Sequence, residues 1–156
     1  MMISTILSYL HHLAAGILMG KVVLLSFVVA PILAKNLERE PFGKVVRQLF
    51  PAYYGLGMGT AVAGFIAVNL LAAIHGRSAA LLTAGGIWIL VLLAEAYCRS
   101  PLTPQSNAMR DQLKEQESRG AVDPGLQRTW NQLHQRSIYL NSIVLVAGCI
   151  LMALVR

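Results

Sequence analysis

Four stretches of this chain carry almost no charge, and each is close to the length that crosses a bilayer. From residue 13 to 34 the single charged residue is Lys21, while residues 52–74, 79–94 and 137–155 have none. About 20 apolar residues in a helix span a hydrocarbon core of roughly 30 Å. Water is a poor solvent for such a chain. Its 56% hydrophobic and 13% charged content departs far from the roughly 25% charge of a soluble domain. The expectation is an all-α integral membrane four-helix bundle in one domain, with helices at about 4–34, 52–75, 79–99 and 126–155 and polar loops at 35–51 and 100–125. The apolar N-terminus has no basic leader and no A-x-A site, so it reads as the first helix and not as a signal peptide.

The net charge of +6 is a topology signal and gives no reason to expect nucleic acid. Lys35, Arg39, Lys44 and Arg47 fall between the first two helices, and Arg99, Arg110, Lys114, Arg119, Arg128 and Arg136 between the last two. In an up-and-down bundle both basic loops share one side. The positive-inside rule places them in the cytoplasm and both termini outside, and the expected address is the cell membrane, as an inner membrane protein. Cys98 and Cys149 are too few for a disulfide framework.

The stretch 41-PFGKVVRQLFPAYY-54 is amphipathic. Phe42, Val45, Val46, Leu49 and Phe50 follow helical spacing, with Lys44, Arg47 and Gln48 opposite. This predicts an interfacial helix between helices 1 and 2, lying on the bilayer or packed on the bundle. Pro51 is expected to end it, with the second helix starting afresh at Tyr53 and Tyr54. Pro101 and Pro104 are expected to stop the third helix, leaving 105–118 as a short polar helix capped by Ser106 or Asn107. Leu126, Trp130 and Leu133 predict an interfacial start to the fourth.

Small and polar residues inside the apolar runs are the functional candidates. Gly16-x-x-x-Gly20 and Gly55-x-x-x-Gly59 would let backbones approach closely, within the bundle or between copies in a homo-oligomer. Polar groups are costly in hydrocarbon and so attract attention. His134, Ser137 and Asn141 share a face of helix 4; Glu95, Tyr53 and Tyr54 come in at the same depth. Together they suggest one pocket, or simply polar glue between helices. Lys21 falls near the middle of helix 1, several turns from the cytoplasmic end where Glu95 is expected, so a direct pair with Glu95 needs a vertical offset. His11 and His12 fall near the opposite face, level with Asn69.

Histidines on helices 1 and 4 raise the idea of haem b or another metal, with His134 and His11 as the candidate ligands. Their depths differ by something like 20–30 Å, which disfavours one porphyrin bridging both and leaves a single-histidine site open. Zinc-type spacing, phosphate loops and nucleophile–base motifs are missing from the sequence.

The phrases 42-FGKVVRQLFPAYY-54, 101-PLTPQSNAM-109 and 133-LHQRSIYLN-141, with His11 opening helix 1, resemble the transmembrane protein 205-like family of four-helix membrane proteins. The matching positions are His11, Phe42, Gly43, Leu49, Phe50, Pro51, Tyr53, Pro101, Thr103, His134, Ser137 and Asn141. The resemblance implies a fold and a membrane address, and no reaction. A short internal echo pairs 31-PILAKN-36 with 101-PLTPQSN-107, as two related hairpins would. Three function classes remain open: a non-enzymatic protein that binds or moves a small molecule or ion or assists a partner, a haem or metal redox protein, and a structural subunit.

Overall fold

A computed structural model describes residues 1–155. Four helices follow one another up and down: α1 (Met2–Asn36), α2 (Arg39–His75), α3 (Ala79–Ser118) and α4 (Pro124–Leu154), all long and apolar enough to cross a membrane. The chain is an integral, multi-pass membrane protein built as an all-α bundle. One end carries Met1, the 76–78 turn and Val155. The other, hereafter the basic end, carries the 37–38 and 119–123 connections.

Each helix buries a seam, and in α1, α2 and α3 its residues step by threes and fours. In α3 the seam is Ala84, Trp88, Val91, Glu95, Cys98 and Leu102; in α2 it is Tyr53, Gly57, Ala61, Gly64, Val68 and Leu71. In α1 it runs Leu7, His11, Ala14, Leu18 and Lys21, and in α4 Leu133, Val144, Gly148 and Leu151. Alternating steps of three and four suit knobs-into-holes packing at shallow crossing angles. Lipid removes the hydrophobic drive between helices, so close approach at small residues must supply the attraction. Gly64 lies against the Trp88 indole and Gly148 against Met19.

The prolines do not end the helices as the sequence suggests. α2 runs unbroken through Pro51, so residues 42–50 are its first turns and not a separate interfacial helix. Interior proline costs about 3 kcal/mol locally, but ion pairs fasten these turns to the polar extension of α3. Arg47 binds Asp111, Lys114 reaches Glu40 at 3.0 Å, and Arg39 reaches Glu117 at 3.1 Å. The greasy face turns partly into the bundle, where Phe50 stacks on Tyr54 with 5.6 Å between centroids.

α3 likewise continues past Pro101 and Pro104 to Ser118, so 105–118 is no separate helix and needs no cap from Ser106 or Asn107. The ladder widens to a π-helical turn at Cys98–Leu102, and the Thr103 hydroxyl donates to the Cys98 carbonyl at 2.7 Å. A wider turn makes room for the proline ring, and a threonine hydroxyl supplies a donor where the ladder is disturbed. α1 has the same device: a π-helical turn at Leu24–Val29 stands just before Pro31. A π-helical turn thus precedes the first of the two segments paired by the sequence echo and overlaps the start of the second.

Candidate functional site

Two buried polar centres lie in the bundle, each built from a seam residue of α3, a glycine of α2 and a polar residue of α1. Near the terminal end, Trp88 Nε1 donates to His11 Nδ1 at 3.2 Å. His11 Nε2 lies 3.0 Å from the Leu151 carbonyl; a carbonyl only accepts, so this nitrogen carries the proton. Both imidazole nitrogens are thereby engaged in joining α1, α3 and α4.

The second centre is nearer the basic end. Lys21 Nζ meets Glu95 Oε1 at 2.6 Å, with the two side chains only 4% and 1% exposed. The depth argument against this pair fails because depth has to be counted from the terminal end, where α1 begins at Met2 and α3 at Ala79, and not from the middle of a helix that runs on to Asn36. Lys21 then stands roughly 28 Å along α1 and Glu95 roughly 24 Å along α3, both measured from the terminal end. The pair crosses over Gly57 of α2, where a Cβ would come within 2.5 Å of Lys21 Nζ. Only a glycine leaves the pair room there. The ammonium also sits 3.9 Å from the centroid of the Tyr53 ring, in cation–π contact.

Tyrosines 53 and 54 extend this centre to α4. Tyr53 Oη donates to Asn141 Oδ1 at 2.8 Å, and the Asn141 amide reaches Tyr54 Oη at 3.5 Å and donates to the Ser137 carbonyl at 2.8 Å. Tyr54 Oη and Ser137 Oγ are 3.0 Å apart. Five of the six expected pocket residues therefore meet: Glu95, Tyr53, Tyr54, Ser137 and Asn141. One polar atom is left over. Glu95 Oε2 is buried and has no hydrogen-bond partner among the described residues.

The sixth expected residue, His134, stands outside. It is exposed and stacks on Trp130 with 5.5 Å between ring centroids and 2° between planes. At its level Leu133 takes the inward position. No group of three or more His, Cys, Asp or Glu side chains among the described residues is placed to hold a metal ion. An axial haem ligand needs a ring nitrogen free for iron, and His11 has none to offer. His12 bonds the Ser8 carbonyl at 2.7 Å, and Asn69 is exposed and bonds the Phe65 carbonyl, so neither joins a site. Gly16, Gly20 and Gly59 have open space where a Cβ would stand, and all three are exposed. These faces do not hold α1 to α2. Cys98 is buried one turn beyond Glu95, Cys149 is exposed, and both are free thiols.

Beyond the apolar spans, α2, α3 and α4 enclose a groove of about 410 Å³ lined by five basic and three acidic side chains. The Lys114 ammonium, and then Lys44, holds the exposed Glu40 carboxyl below the usual carboxylate range. Arg110 is different. It contacts the Phe42 ring at 5.8 Å and approaches Gly43, where a Cβ would come within 3.2 Å of its Nη1. Burial first, and then the like charge of Arg47, holds its guanidinium below the usual arginine range.

Among known proteins, no solved structure matches the chain. A relative from Aquifex aeolicus (strain VF5), described as an uncharacterised protein, is 58% identical over 33 residues, which is 21% of this chain and 25% of the relative. The chain thus matches about a quarter of that relative's length. The family model described as "Domain of unknown function (DUF4149)" matches residues 13–115. That match takes in about two thirds of α1, all of α2 and most of α3, including Lys21, Gly57 and Glu95, and the chain belongs to this family.

Proposed function

We propose that this protein binds and relays a small cation, the proton in the first instance, at the Lys21–Glu95 centre. The observation that carries this reading is the buried Glu95 Oε2 with no partner. An orphan carboxylate oxygen inside a membrane bundle is costly, and intramembrane carboxylates of this kind mark ion pathways. Lys21 occupies the other oxygen and would have to release it when a cation arrives. Tyr53, Asn141, Tyr54 and Ser137 offer hydroxyl and amide groups that lead away from the pair toward α4. The basic loops belong to the cytoplasm in this reading, and the likeness to the transmembrane protein 205-like family fits a membrane address.

The test is proton entry into sealed proteoliposomes that contain a pH-sensitive dye, driven by a valinomycin potential. The wild-type protein is expected to admit protons at least tenfold faster than Glu95→Gln, which should match empty vesicles. Equal rates in the two proteins would sink the proton reading. Sidedness has its own check, by maleimide labelling of single cysteines at Gln116 and Ser78 in intact cells. Residue 78 should react from outside and residue 116 should not; the reverse pattern would invert the topology.

A second reading, docking on another copy, is favoured by the outward Gly16, Gly20 and Gly59, which leave flat faces uncovered. Bulky Gly16→Leu and Gly20→Leu replacements should then lower the oligomeric state seen by light scattering in detergent. A monomer before and after would dismiss it.

A further inference from the structure

We propose that the groove between the first turns of α2, the polar end of α3 and the start of α4 binds the phosphodiester of an anionic phospholipid, with Arg110 as its fork. The groove's other charges are largely spent on each other. Arg39 pairs with Glu117, Arg47 with Asp111, and Lys44 and Lys114 both with Glu40. Arg110 has no carboxylate within ion-pair distance among the described residues. It is nonetheless half-buried on the groove wall. A half-buried guanidinium without a counter-ion, in a wall where basic side chains outnumber acidic ones, calls for an anion.

The shape of the wall says which anion. Arginine's planar fork matches two oxygens of a phosphate. Gly43 offers no side chain on that side, so the guanidinium lies close to the α2 backbone, backed by Phe42. Trp130 lines the same groove where α4 starts, just before its apolar span, and indoles collect at headgroup depth. A volume of about 410 Å³ suits a headgroup and glycerol more than a lone ion, and the nearby spans would take the acyl chains. This site is separate from the Lys21–Glu95 centre and does not depend on proton relay.

Trp130 provides the readout. The chain has two tryptophans, and the other, Trp88, is fully buried in the bundle. Phosphatidylglycerol with brominated acyl chains, added to the full chain in maltoside micelles, should quench the emission at about tenfold lower mole fraction than brominated phosphatidylcholine. That preference corresponds to one charge-assisted contact. Arg110→Gln should erase it, while Lys35→Gln, which removes an equal charge from the end of α1 outside the groove, should leave it intact. Trp130→Phe should abolish the lipid-dependent signal in the wild-type background. Equal quenching by both lipids would overturn the site. So would an equal loss in Lys35→Gln, which would mean diffuse attraction to the surface. Inorganic phosphate that relieves the quenching where chloride of equal ionic strength does not would make this a free-phosphate site and overturn the lipid assignment.

Discussion

Replacing Lys21 by methionine, or Glu95 by leucine, is expected to destabilise the bundle by about 3–5 kcal/mol, while making both changes together should cost far less. The pair is short and almost wholly out of solvent. Taking away one partner leaves the other's charge in a low-dielectric interior, with Gly57 and Tyr53 as its nearest company. Neither can neutralise it. Taking away both leaves apolar side chains of similar length in an apolar seam. The cycle is read by reversible unfolding in mixed micelles, as the difference between the double variant and the sum of the singles. Singles that each cost less than about 1 kcal/mol would mean that water reaches the pair. The double variant also divides structure from function. A stable fold that no longer admits protons would assign the pair a task beyond holding α1 to α3, and a stable fold with wild-type flux would remove Glu95 from the pathway.

The spans were legible because a charge-free run of bilayer length has few other places to go. Their ends were less so. Pro51, Pro101 and Pro104 are local helix breakers, yet the chain stays helical through all three. At Pro51 what overrides the proline is not local, namely ion pairs between α2 and α3, 64 to 78 residues apart in sequence, while at Pro101 and Pro104 it is a π-helical turn with the Thr103 hydroxyl bonded to the Cys98 carbonyl. Spacing rules weigh neighbours in sequence and miss forces that come from neighbours in space.

The candidate site was half visible for a related reason. Glu95, Tyr53, Tyr54, Ser137 and Asn141 could be gathered by depth alone. Lys21 looks remote from them only while its depth is read from the middle of helix 1, because α1 is long and runs on to Asn36 at the basic end; counted from the terminal end, it comes level with Glu95. From that end the two residues differ in depth by only about 4 Å. His134 shares a face with Ser137 by spacing, but the inward seam at its level passes through Leu133. The G-x-x-x-G pattern singles out Gly55 and Gly59 and passes over Gly57. Its phase was the better signal: Gly57 and Gly64 step in register with Tyr53, Ala61 and Val68 on the buried seam.

That phase makes glycine substitutions in α2 opposite in sign five residues apart. Gly64→Ala is expected to cost about 3 kcal/mol or more, because the new methyl would fall far inside van der Waals contact distance of the Trp88 indole. The indole cannot retreat. It is fully buried, and its Nε1 is tied to His11, which is tied in turn to the Leu151 carbonyl. Moving it breaks buried hydrogen bonds in hydrocarbon and loosens α1, α3 and α4 at once. Trp88→Phe added to Gly64→Ala should recover only part of the loss, since the smaller ring makes room but leaves His11 Nδ1 without a donor. Gly59→Ala meets open space and should be neutral or stabilising by up to roughly 1 kcal/mol, through helix propensity. Unfolding midpoints of the three variants decide the matter. Equal losses at Gly59 and Gly64 would mean that the outward face is covered after all, and would move the weight of argument from the buried seam to a second chain docked against α2.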